Sequence, residues 1–135
     1  MPGTTNTYVA AVLTDRARAK LLRLVPAVHP TVVAHHMTMI YNPERELFWE
    51  QYARLIGQKV QLTINGKAHD ERVQAVLVSK GPVSINEFKH VTISTAPGVE
   101  QVESNELLKK GWKEFEPRIF DAVIRNLSVE TDSPV

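Results

Sequence analysis

The spacing of apolar and polar positions changes period several times along this chain, and each change marks an element. Tyr8 to Leu13 is a short apolar run, Tyr-Val-Ala-Ala-Val-Leu, with the length and composition of a buried strand. Thr14 and Asp15 then supply N-cap chemistry, and Leu21, Leu22 and Val25 share one helical face. A helix from Arg16 to Val25 follows, ended by Pro26 and Pro30. Ala34 to Tyr41 is a second strand candidate. Asn42-Pro43 offers a cap and a first-turn proline, with Glu44 and Glu46 beside the helix's positive end. Leu47, Phe48, Tyr52, Leu55 and Ile56 recur at helical spacing, and Gly57 suits the left-handed position past the last turn.

Period two then takes over. Val60, Leu62 and Ile64 alternate with Lys59, Gln61 and Thr63, and Asn65-Gly66 predicts a tight hairpin turn. Arg72 to Ser79 is apolar on both faces at Val76-Leu77-Val78, so it is expected to be a central strand that Gly81-Pro82 breaks. Phe88 to Thr95 is another strand. Ala96-Pro97-Gly98 leads to a short helix near Asn105 to Lys110, with Ser104 as its expected cap. Arg118 to Val129 predicts one or two final strands, and a polar tail begins at about residue 130. The sum is an α+β chain with a mostly antiparallel sheet. With no linker or low-complexity stretch, residues 1–135 are expected to form one domain.

Composition narrows the class. The 135 residues are 43% apolar and 23% charged with a net charge of +1, the profile of a globular protein without the dense cationic surface that grips long duplexes. A small anionic ligand or a short single-stranded end remains compatible. No apolar run approaches the roughly 20 residues of a membrane helix, so no membrane association is expected. Met1-Pro2-Gly3-Thr4-Thr5 carries no basic stretch leading into an apolar one, and the chain has no cysteine. A cytoplasmic location is therefore expected, and disulfides, thiolate zinc sites and cysteine nucleophiles are excluded.

The candidate chemistry lies in an internal echo. His36-Met37-Thr38-Met39 and His90-Val91-Thr92-Ile93 both read histidine, apolar, threonine, apolar. On a strand, alternate side chains share a face, so each imidazole stands roughly 7 Å from its hydroxyl while the apolar residues enter the core. Two such strands facing one another would surround a tetrahedral anion. One neutral imidazole can take a proton from a nucleophile, one imidazolium can protonate a leaving oxygen, and two hydroxyls can hold the phosphate oxygens. No carboxylate flanks either histidine and no His-x-x-x-His spacing occurs, so neither a metal nor another cofactor is expected. The competing reading makes both histidines partly buried strand residues bonded to adjacent backbone. Two copies among only five histidines favour the first reading.

The paired motifs resemble the two-histidine (2H) phosphoesterase superfamily. The longer stretches His35 to Met39 and His90 to Val99, with Ser104-Asn105 soon after, are most similar to the cyclic-phosphodiesterase-type domain of fungal tRNA ligases. The resemblance implies a bilobal fold with flanking helices and the two motifs lining a central cleft. It implies His36 and His90 as catalytic residues and Thr38 and Thr92 as phosphate-binding hydroxyls. The implied activity is a hydrolase of phosphodiesters, opening a 2′,3′-cyclic phosphate on a nucleotide or a single-stranded RNA end. Two alternatives stay open: a phage-type anti-defence nuclease degrading cyclic oligonucleotide messengers (anti-CBASS), and a nucleotide sensor or sponge without catalysis. The assignment of acid and base is open, and no lysine or arginine follows either motif directly.

Tyr8, Tyr41 and Ser94 are candidate substrate contacts. Packing competes as the role of the two tyrosines, and a strand-end cap as the role of Ser94. Ser94 continues the alternation of His90 and Thr92, whereas His35 is expected on the opposite face from His36. Trp49 and Trp112 could line a nucleobase pocket or cover the sheet. His29 and His69 are expected in exposed loops.

Overall fold

The computed structural model describes residues 7–41 and 49–134, and the Trp49 side chain lies outside that description. Seven strands and three helices follow in the order β1 (Thr7–Leu13), α1 (Asp15–Leu24), β2 (Thr31–Val32), β3 (His36–Tyr41), α2 (Trp49–Leu55), β4 (Lys59–His69), β5 (Val73–Lys80), β6 (His90–Thr95), α3 (Ser104–Lys109) and β7 (Lys113–Ser128). A 3-10 turn, Gln101–Glu103, leads into α3. All pairings are antiparallel. The fold is α+β, and no helix among the described residues is long and apolar enough to cross a membrane.

The strands form a single sheet in the order β2-β6-β5-β4-β7-β1-β3. Its two end strands, β2 and β3, are consecutive in the chain and separated only by residues 33–35. Such a short connection forces the sheet to curl until its ends meet. Backbone bonds close the seam: Val33 and Ala34 donate to the carbonyls of Ile93 and Thr92 in β6, and the His35 carbonyl accepts from Leu13 in β1. Ala34 makes the crossing with φ +42°, a left-handed conformation costly for any residue with a Cβ. Arg18 of α1 braces the crossing by donating from its guanidinium to the Val33 carbonyl.

One face of the sheet packs under α1. Ala17, Leu21 and Val25 join Val9, Ala11, Met37, Met39, Val91, Ile93, Phe120 and Ile124 in the main core. Thr14 caps α1 as its sequence suggests, its hydroxyl accepting from the Ala17 amide. On the other face α3 covers Val73 and Ala75 with Leu107. Gly57 takes φ +91° after α2 and donates to the Ile124 carbonyl, as expected of a residue past a helix end. The Asn42-Pro43 start anticipated for that helix, with Leu47 and Phe48, lies outside the described residues.

Three expectations are overturned. Asn65-Gly66 is not a hairpin turn, because β4 runs through it with a register shift against both β5 and β7. The glycine serves close approach instead: a Cβ on Gly66 would sit 2.7 Å from the Trp112 ring. The reversal comes at Asp70, whose carboxylate accepts from the Arg72 and Val73 amides. The C-terminal strand does not begin at Arg118 either, since β7 starts at Lys113 and runs through Pro117. The proline falls where β7 shifts register against β4 and before pairing with β1 begins, so no amide is missed. Ser104 is not a free cap, since no side-chain cap bond forms at α3 and its hydroxyl meets Thr92.

The strained crossing predicts opposite effects of two substitutions. Ala34→Gly should stabilise the protein by up to ~1 kcal/mol, and Ala34→Val should destabilise it by at least ~2 kcal/mol, because the site is closed and β-branching opposes positive φ. Urea unfolding of the two variants measures both.

Candidate active site

The seam brings the two motifs together. β3 presents His36 and Thr38, β6 presents His90 and Thr92, and all four line one cleft with Tyr41, Asn86, Gln101, Val102 and Asn105. Met37, Met39, Val91 and Ile93 are wholly buried behind them, as the alternation requires. Beneath the hydroxyls the neighbouring strands carry alanines: Ala10 faces Thr38 and Ala75 faces Thr92. These residues are the smallest that carry a Cβ, so little side chain stands beside either hydroxyl.

Each motif is followed by the same irregularity. Ala10 pairs with Thr38 and Val9 with Ile40, so Met39 is an extra residue. Ala75 pairs with Thr92 and Gln74 with Ser94, so Ile93 is the matching extra residue. A bulge of one residue reverses the facing of everything after it. Tyr41 is thereby turned to the cleft side, opposite Tyr8, where uninterrupted alternation would have buried it among the methionines. Ser94 is turned the other way. It is fully buried, donates at 2.6 Å to Gln74 and accepts from the His29 amide, so it does not line the cleft. Thr95 takes its place on the open side.

The cleft runs into a broader groove that shares His36, Tyr41, Gln101 and Val102 and adds Tyr8, Thr31, Thr95, Glu100 and Asp132. The cleft is narrow, with about 30 Å³ open to the centre of a water-sized sphere, while the groove holds about 510 Å³ by the same measure, the scale of a small-molecule site. Tyr8 is buried, with its ring 5.1 Å from that of His36 and 5.5 Å from that of Tyr41. Its hydroxyl donates to Asp132, a residue in the turn after β7 held by a bridge between Leu127 and Pro134. The tail is thus part of the site wall. Nothing in its sequence marks Asp132, Asn86 or Gln101 for this place, since each is delivered by a loop.

The imidazoles are held differently. The His90 Nδ1 is 2.8 Å from the Phe88 carbonyl, which can only accept, so Nδ1 carries a proton and Nε2 is left for the cleft. The His36 Nδ1 instead lies 2.8 Å from the Nδ1 of His35, with the rings edge to face. The expectation that His35 points away from His36 is overturned; His35 precedes β3, beside the kink at Ala34, and does not follow strand alternation. Thr92 Oγ1 is 2.8 Å from Ser104 Oγ and donates toward the Gln101 carbonyl at 3.4 Å. The Thr38 carbonyl accepts from Ser84.

Burial governs the electrostatics. Desolvation pushes His36 down to about 4, helped by neighbouring His35 and His90 and opposed by Asp132. His90 is also lowered by burial, with the Phe88 carbonyl acting in the opposite direction. His35 is lowered by burial and Arg18, against Asp132. Tyr8 is raised by burial and by Asp132, so its phenol stays protonated. Among the described residues no three His, Asp or Glu side chains are grouped to hold a metal ion. Trp112 packs on Phe88, with ring centroids 5.6 Å apart, and does not line the cleft. His29 is tied to the Asp70 carbonyl rather than free in a loop.

No protein-family model matches the chain, and no curated protein matches it in sequence. Its fold is shared with the crystal structure of a fungal RNA kinase, at a TM-score of 0.58 and 13% identity. That match covers 91% of this chain and 42% of the kinase chain, so this chain spans less than half the length of its structural relative. At such identity the likeness establishes a distant relationship of fold.

Neutral burial of His36 predicts a pH-dependent stability. Its affinity for a proton is lower folded than unfolded, so the unfolded chain takes up the proton first as pH falls. Stability should be complete above the ordinary value of 6.5 and should decline toward about pH 4, by on the order of 3 kcal/mol from this residue. Urea midpoints measured across that window should show the slope, and His36→Gln should reduce it, leaving the part that His35 and His90 contribute in the same direction.

Proposed function

We propose that this protein is a phosphodiesterase that opens a 2′,3′-cyclic phosphate on a nucleotide or an RNA end by metal-independent acid–base catalysis. The observation that carries this reading is the convergence of two imidazoles and two threonine hydroxyls on one cleft. The motif-bearing ends of the sheet, β3 on one side and β5–β6 on the other, correspond in this reading to the two lobes that the resemblance implies. A fold relative that is an RNA kinase supports a substrate bearing RNA phosphate.

The division of labour follows from the ring environments. His36 is neutral at physiological pH and serves as base, its Nε2 taking a proton from water as the water oxygen bonds to phosphorus. Thr38 donates to a non-bridging oxygen as charge accumulates on it, and Thr92 does the same once its single hydroxyl proton turns from the Gln101 carbonyl, its oxygen then accepting from Ser104. His90 is the acid. Burial lowers its proton affinity, the Nδ1–H bond to Phe88 opposes that, and an anionic phosphate in the cleft raises it. From Nε2 it protonates the departing ribose oxygen as the phosphorus–oxygen bond breaks, leaving a phosphomonoester and a free hydroxyl. His36 then holds a proton and His90 has lost one, and exchange with solvent resets both.

Either His36→Ala or His90→Ala should lower kcat by about 10²–10⁴-fold on a 2′,3′-cyclic mononucleotide with little loss of stability at neutral pH. Thr38→Val and Thr92→Val should cost roughly 3 kcal/mol or less in transition-state binding. The rate should be bell-shaped in pH and insensitive to EDTA. Mass spectrometry of products from cyclic mononucleotides, cyclic dinucleotides and cyclic trinucleotides identifies the substrate. Turnover confined to the cyclic oligonucleotides would replace RNA ends with second messengers, and tight binding without products would make the protein a sensor.

A further inference from the structure

The two histidines of the cleft differ in what holds their inner nitrogen. The partner of His90 is a carbonyl, which can only accept, so its tautomer has no alternative. The partner of His36 is another imidazole nitrogen, which accepts in one state and donates in the other. A single proton lies between His35 Nδ1 and His36 Nδ1. If His36 supplies it, His36 Nε2 carries a lone pair toward the cleft. If His35 supplies it, His36 must carry its own proton on Nε2 and cannot act as base.

We propose that His35 is a positioning residue that sets the tautomer of His36, accepting from its Nδ1–H at neutral pH and disabling it as a base when His35 becomes protonated. The assignment of His36 as base rests on the functional reading above; the tautomer coupling itself rests only on the contact between the rings.

Neutral His35 can accept at Nδ1 only in its Nε2–H tautomer, and the residue is half-buried. On protonation both of its nitrogens become donors. Its Nδ1–H then faces His36 Nδ1, which must give up its hydrogen and become the acceptor. The charged and titratable groups around the pair act in both directions. Asp132 from the turn after β7 favours charge on His35 and His36, Arg18 from α1 opposes it on His35, and His90 from β6 opposes it on His36. Tyr8 of β1 lies against His36 and Tyr41 of β3 against Tyr8, whose hydroxyl donates to Asp132. Lys89, at the matching position in the second motif, donates instead to the Gly81 carbonyl, so His90 has no such partner.

Long-range proton–nitrogen correlation spectra of ¹⁵N-histidine-labelled protein read the tautomer directly and need no turnover. In the wild type at pH 7.5, a value chosen above the ordinary histidine range, His36 should be protonated on Nδ1. His35→Asn keeps an acceptor near the same place and should preserve that form, while His35→Leu should shift His36 to the Nε2–H form. The His90 pattern should be constant and reports that the fold is intact. A wild-type His36 in the Nε2–H form, or an unchanged His36 in His35→Leu, overturns the proposal. The kinetic arm uses a 2′,3′-cyclic mononucleotide. His35→Leu should lose roughly tenfold in kcat at little change in KM, and His35→Asn should keep its rate to lower pH than the wild type. An acid limb identical in wild type and His35→Asn also overturns the switch. Absence of turnover in every form would count against the phosphodiesterase reading and leave the spectra to decide the coupling.

Discussion

The arrangement depends on the three residues that join the two ends of the sheet. Val33, Ala34 and His35 are too few to let β2 and β3 drift apart, and their backbone groups are bonded to β6 on one side and β1 on the other. Closing a sheet in this way normally requires twist and curvature in every strand. Here the steepest local distortion falls on Ala34, and the residue immediately after the crossing is half of the imidazole pair. Strain and chemistry are therefore neighbours along the chain. The cleft is the gap left where two sheet ends are brought together without pairing directly.

That origin explains the electrostatic character of the site. Four polar side chains stand on strand residues that are themselves nearly buried, so the histidines are kept neutral by the surrounding protein. A bound anion would supply the charge that the free cleft lacks. Proton affinities tuned by ligand arrival suit a reaction in which one ring gives up a proton and the other takes one. The arrangement also makes the site costly to assemble in acid.

The sequence carried the elements and the facing of the two motifs well, because both rest on local periodicity. Thr14 capping α1, the runs of β1, β3, β5 and β6, and the partition of His36, Thr38, His90 and Thr92 from their apolar neighbours all follow from spacing. What escaped was set by contacts between distant segments. Asn65-Gly66 has turn composition, yet Trp112 requires that glycine for approach. Ser94 and Thr95 exchange faces because of an extra residue visible only against the partner strand. Asn86 reaches the cleft and Asp132 the groove through loops that carry no periodic signal, and Ser104 meets Thr92 from the start of α3. His35 shows the limit of alternation most plainly, since the rule ceases to apply one residue before the strand begins.

The paired irregularity after Thr38 and Thr92 bears on ancestry. Histidine and threonine at matching places can be acquired independently, since each is chosen for what it does. An unpaired residue at the same offset, Met39 in one strand and Ile93 in the other, reacts with nothing itself and acts only through the backbone course it imposes. Its recurrence is the mark expected when one ancestral segment is copied and fused in tandem, the two copies then diverging in sequence while their backbone course is retained.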